Sequence, residues 1–167
     1  MRLRRLVQLN RAASQQRLTE IEAALQRAPG NPYAGEAHFN QRCAACHQLF
    51  FKGGKVGPDL TAYQRDNLGT LLTSILNPSA EIREGYAYVE VETNDGRNLG
   101  GFVTDRDAQV TVLRGLDGQD ITLRAAEIRS LEPTGRSLMP EGLLDDLSEE
   151  QLRDFFAYLR QSQPFTR

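Results

Sequence analysis

The sequence predicts a mainly helical α+β fold in which a small antiparallel sheet interrupts a set of helices. Three observations point there. Apolar residues recur at helical spacing near both ends of the 167-residue chain. Between Ala87 and Leu131 the period drops to two, with turn residues separating the runs. Both cysteines and one of the two histidines fall within Cys43-Ala44-Ala45-Cys46-His47, so the chain's metal-ligating residues are concentrated at one point.

In chain order, Leu6, Leu9, Ala13, Leu18, Ile21 and Leu25 predict an amphipathic helix of about 20 residues or more, stopped at Ala28-Pro29-Gly30. Gly35 to Arg42 reads as a short helix. Leu68, Leu71, Leu72 and Ile75 share one side of a helix over 67–76, which Asn77-Pro78-Ser79 stops. Past Gly85, Ala87, Val89 and Val91 face one way, and Asn94-Asp95-Gly96-Arg97 is a hairpin signal. Residues 99–104, 110–113 and 121–123 repeat the strand pattern, and 126–131 is a fifth strand. Five short strands predict a small curled sheet or barrel, similar in pattern to SH3-like modules. Ser148 is an N-cap with Gln151 at the capping-box position. Leu152, Phe155, Phe156 and Leu159 then line one face of a helix ending near Gln161.

Composition narrows the function. Forty per cent hydrophobic and 25% charged residues suit a soluble globular protein and exclude general disorder. A net charge of −2 excludes a strongly basic nucleic-acid binder. No stretch approaches the roughly 18 to 20 apolar residues of a membrane span. Charge is uneven: residues 1–30 carry +4, 31–85 balance, 86–132 carry −4 and 133–167 carry −2. These are solvated faces or docking electrostatics. Asp105 and Asp107 lack the twelve-residue loop pattern of a calcium site.

Cys43, Cys46 and His47 form the C-x-x-C-H signature of c-type haem attachment. Two thiols one helical turn apart add to the two vinyl groups of a porphyrin edge, and the histidine that follows lies beneath the iron. Two other readings compete. A redox dithiol normally follows a strand, and a short helix precedes this motif. A zinc site would need His38 beside Cys43, Cys46 and His47, all crowded within ten residues. A second axial ligand has one natural candidate, Met139 in Ser137-Leu138-Met139-Pro140, because Met1 is the only other methionine. His38 would have to cross the ring plane to serve.

Cys43-Ala44-Ala45-Cys46-His47, Gly57-Pro58-Asp59-Leu60, Leu138-Met139-Pro140 and a final amphipathic helix together resemble a class I cytochrome c domain. Over residues 33 to 161 the arrangement is similar to a haem-binding domain at the C-terminal end of large dehydrogenase-like proteins of planctomycetes and Verrucomicrobia. The β insertion between the middle helix and the methionine loop is the mark of that subfamily. The resemblance implies one haem c, with thioethers from Cys43 and Cys46 and axial ligands His47 and Met139. It places Pro58 against the proximal imidazole, its carbonyl accepting the ring N–H. It sets Gly35 and Phe39 opposite Phe155 or Phe156, and Tyr63 near a propionate. The chain then divides into a connecting helix (1–30), the attachment half (31–85), the β insertion (86–132) and the methionine loop with the last helix (133–167).

The expected function is a monohaem electron-transfer domain that is not itself an enzyme. It would take electrons from a fused or partner dehydrogenase and pass them to a respiratory carrier. The alternatives are a haem-based gas or redox sensor with a labile Met139, and a zinc or dithiol structural module. Covalent haem attachment implies a periplasmic or otherwise extracytoplasmic location. The N-terminal residues lack an apolar signal core, so the expectation is a fragment of a longer exported protein.

Overall fold

The computed structural model describes residues 2–165, with side chains from Ala12 onward. It separates into two units. One contains residues up to Ala44, 62–77 and those from Glu141; the other contains 45–61 and 78–140.

The first unit is helical: α1 (Arg2–Arg27), α2 (Pro32–Arg42), α3 (Leu68–Leu76) and α4 (Glu149–Leu159). Each of the last three starts at a side-chain cap. Asn31 accepts the Tyr33 N–H and is followed by Pro32, a residue suited to the first helical position. Asn67 accepts the Thr70 N–H. Ser148 and Gln151 exchange hydrogen bonds in the expected capping box.

Buried Phe39, Leu72, Leu144, Leu152, Phe155 and Phe156 lie in this unit's core. In α1, Ile21 and Ala24 are buried and Leu18 and Leu25 half-buried. Ala13, expected on the apolar face, is exposed; among the described side chains of the helix the buried ones are Ile21 and Ala24. The side chains of Leu6 and Leu9 lie outside the described residues.

Helix α2 meets α4 at Gly35, where a Cβ would overlap the Asp154 carbonyl and the Tyr158 Cβ. Phe39 packs on Tyr158, with ring centroids 5.5 Å apart. Phe155 and Phe156, also buried, pack on each other at 5.1 Å. Asp154, nearly buried, accepts the Asn31 N–H at 2.6 Å. Buried Arg65 donates Nη1 to the carbonyls of Leu159 and Gln161 (2.8 and 2.7 Å), satisfying the end of α4. That helix stops two residues short of Gln161, since Gln161 N–H turns back to the Tyr158 carbonyl in a tightened last turn.

The second unit holds a two-stranded hairpin, β1 (Gln48–Leu49) and β2 (Lys52–Gly53), and a five-stranded sheet. The sheet comprises β3 (Tyr88–Thr93), β4 (Asn98–Arg106), β5 (Val110–Arg114), β6 (Asp120–Arg124) and β7 (Ile128–Pro133). Its order is β6-β5-β4-β3-β7, all neighbours antiparallel, so the last strand returns to the free edge of the first. The fifth strand starts at Ile128 instead of Ala126, because Ala125–Glu127 form a 3₁₀ turn. The Glu127 carboxylate, accepting the Arg124 N–H, closes that turn. Alternation buries Val89, Val91, Leu113 and Leu123 on one face, beside Leu99, Val103, Ile121, Ile128 and Leu131. On the other face Tyr86 and Tyr88 cover Phe102 edge-on.

Candidate functional site

The last turn of α2 delivers the attachment motif. Cys43 caps the helix, its N–H donating to the Phe39 carbonyl at 2.8 Å. Cys43 is half-buried and Cys46 exposed, and neither is in a disulfide. The chain then leaves helical geometry, and residues 54–60 fold back along 45–48. Gly57 N–H donates to the Cys46 carbonyl and Leu60 N–H to the Gln48 carbonyl, both at 2.8 Å. A Cβ at Gly54 would collide with the Ala45 carbonyl.

This return places Gly57-Pro58 against His47. A Cβ on Gly57 would lie 2.6 Å from Cε1, 2.8 Å from Nδ1 and 3.1 Å from Nε2 of the imidazole. Only glycine leaves room for the ring. The Pro58 carbonyl oxygen lies 2.9 Å from Nδ1. A carbonyl only accepts, so Nδ1 carries the hydrogen and Nε2 keeps its lone pair for a Lewis acid. Two thiols, an imidazole with an available Nε2 and a thioether make a donor set that suits a covalently attached haem.

The hairpin after His47 has an unusual turn. Phe50 and Phe51 both carry positive φ (52° and 66°), as in a type I′ turn that Asn-Gly would favour. Strain of this kind costs on the order of 1–3 kcal/mol per residue. Phe50 is buried and its N–H donates to Thr61 Oγ1 at 2.7 Å, while Phe51 is 84% exposed. No propensity argument finds this hairpin, because its strands are two residues long and Phe-Phe reads as strand interior.

Met139 is half-buried on the segment between β7 and α4. Its N–H donates to Ser137 Oγ at 3.1 Å, and the Ser137 N–H donates to Ser79 Oγ at 3.2 Å. Sequence reading passed over Ser137. The available signal was a serine two residues before the methionine, the spacing of a side-chain-closed turn.

The remaining candidates have other engagements. His38, on α2, is half-buried, with its Nδ1 atom buried and without a hydrogen-bond partner. Tyr63 Oη lies 3.4 Å from Ser74 Oγ. Asp107 accepts the N–H groups of Val110 and Gln109, both at 2.7 Å, which hold its carboxyl below the usual carboxylate range. Among the described residues no group of three or more His, Cys, Asp and Glu side chains is placed to hold a metal ion, so a four-ligand zinc arrangement is not assembled.

A family model for cytochrome c matches residues 33–121. The matched span contains Cys43, Cys46, His47 and Pro58 and stops before Met139. The chain is also similar to the Multifunctional CCA protein of Paracidovorax citrulli, at 34% identity over 101 residues. That alignment takes in 60% of this chain and 24% of the relative, so the chain spans about a quarter of that protein's length.

Proposed function

The chain belongs to the cytochrome c family and carries covalently bound haem c with iron; from that premise we propose that it is a monohaem electron carrier with His47 and Met139 as axial ligands and Cys43 and Cys46 as thioether anchors. Haem iron, when bound, supplies reversible one-electron chemistry. The protein's residues supply orientation. The hydrogen bond from His47 Nδ1–H to the Pro58 carbonyl carries this reading, because it fixes the tautomer, orients the ring and raises the basicity of Nε2. The missing Cβ at Gly57 leaves the ring room in that position. With Nε2 taken up by iron and Nδ1–H by the Pro58 carbonyl, His47 would keep no free nitrogen to act as a general base, in line with electron transfer.

The finer biology extends the same reading. The β insertion resembles the mark of the dehydrogenase-linked subfamily, which supports a fused or partner dehydrogenase as donor and a respiratory carrier as acceptor. Attachment of haem through Cys43 and Cys46 requires an extracytoplasmic location. No helix among the described residues is long and apolar enough to cross a membrane.

The test is an absorption spectrum of the haem-loaded protein, oxidised and reduced, including the weak sulfur-to-iron band near the red edge. That band should be present in the wild type and lost in Met139→Ala. A c-type spectrum without the band would remove Met139 as ligand, and a five-coordinate ferrous form that binds CO readily would favour a sensor. Failure to incorporate haem in the presence of maturation machinery would overturn the attachment assignment.

A further inference from the structure

Between β7 and Met139 the backbone is held by a succession of hydrogen bonds that begins on the sheet. The Thr134 N–H and hydroxyl both reach the Tyr88 carbonyl at the head of β3, at 3.0 and 3.2 Å. Thr134 Oγ1 also accepts the Arg136 N–H at 3.2 Å. One residue on, the Ser137 N–H donates to Ser79 Oγ, and Ser137 Oγ accepts the Met139 N–H. Thr134 and Ser137 therefore each close a turn onto the amide two residues ahead. Regular ladder pairing ends at Pro133, so from there to Met139 these side chains do the work that strand partners do within the sheet.

We propose that Ser137 is a positioning residue for Met139, and that the β insertion, through Tyr88 and Thr134, is part of the scaffold that holds the distal ligand's loop. This deepens the electron-carrier reading and rests on Met139 being the sixth ligand. The chemistry asks for such a device. Methionine has three rotatable side-chain bonds and a neutral, weakly donating sulfur, so its retention on iron depends on a backbone that does not drift. The Ser137 bond fixes the Met139 amide itself. The Ser79 bond keeps Ser137 from swinging out with it.

The experiment uses haem-loaded protein and follows the sulfur-to-iron band as pH is raised, in the wild type, Met139→Ala, Ser137→Ala, Ser137→Thr and Ser79→Ala. Ser137→Ala is expected to keep the attached-haem spectrum but to lose the band at a hydroxide concentration about 2- to 10-fold lower, the effect of one neutral hydrogen bond on an equilibrium. Ser137→Thr, which keeps the hydroxyl, should restore the wild-type midpoint, and Ser79→Ala should shift it in the same direction as Ser137→Ala. Denaturant unfolding of each variant separates a local effect from a global one. A midpoint that stays put in both alanine variants, or moves only in step with global unfolding, overturns the inference alone. A wild type with attached haem and no band, unchanged in Met139→Ala, overturns the ligand reading and this inference with it.

Discussion

The Pro58 carbonyl oxygen and His47 Nδ1 stand 2.9 Å apart across eleven residues of chain. The contact exists because the intervening hairpin returns residue 57 to the edge of the attachment motif, where the Gly57 N–H meets the Cys46 carbonyl. One proline carbonyl thereby decides which imidazole nitrogen carries a proton and which offers a lone pair.

Gly57→Ala should disturb that relationship directly. The new methyl would stand 2.6 Å from Cε1, and the ring cannot retreat without stretching its bond to Pro58. We expect lower haem incorporation, and for the loaded protein that does form, a loss of about 1–3 kcal/mol in denaturant titrations, the usual cost of overpacking. Wild-type yield, spectrum and stability in Gly57→Ala would refute the close-packed ring.

Two helical glycines should respond with opposite sign. Gly35→Ala drives a Cβ into the Asp154 carbonyl and the Tyr158 Cβ, and should destabilise by about 1–3 kcal/mol. Gly69→Ala, in α3, meets only Asn67 Oδ1 at 3.8 Å. It should stabilise by about 0.4–1 kcal/mol through reduced freedom of the unfolded chain. A urea midpoint unchanged or raised in Gly35→Ala would contradict the α2–α4 geometry, and one lowered in Gly69→Ala would contradict the open space beside α3.

Arg65→Gln should cost about 1.5–3 kcal/mol, because it removes charge-assisted bonds to the Leu159 and Gln161 carbonyls. Exposed Arg106→Gln is the control. If equilibrium unfolding shows the Arg65 loss to be no larger than the control's, the cap on α4 contributes nothing measurable.

Asp120 should give a pH signature in the β insertion. The Arg114 guanidinium, bonded to both its carboxylate oxygens at 2.8 and 3.0 Å, holds the carboxyl below the usual range. The folded value is depressed, so the unfolded chain binds the proton more readily. The pair's stabilisation is then complete above the unfolded value and is lost as pH falls through the folded one. Carbon-detected NMR should place the Asp120 titration below that of an ordinary aspartate, and the stability gap between wild type and Asp120→Asn should close as pH is lowered through that window. A normal Asp120 midpoint would contradict the pairing.

Much of the fold was legible because its signals are local. Ser148 and Gln151 each act on an amide three residues away, and the strand runs and the Asn94–Arg97 turn announce themselves within a few residues. The two-residue strands of the Phe50-Phe51 hairpin are too short for any period to register. The contact of Phe39 with Tyr158 was not read, because the phase at which two helices cross is set by their closest approach, here Gly35 on Asp154, and not by any local pattern.

By itself the sequence pointed to the attachment chemistry, since the C-x-x-C-H spacing is local, and it determined the helices and strands whose caps and periods are written locally. Only the tertiary structure decided which nitrogen of His47 is free, which tyrosine covers Phe39, and that Tyr88, Thr134, Ser79 and Ser137 converge on the loop of Met139. Those relationships join residues tens of positions apart, and their register follows from side-chain volume and hydrogen-bond satisfaction across a packed fold, which no short window of sequence contains.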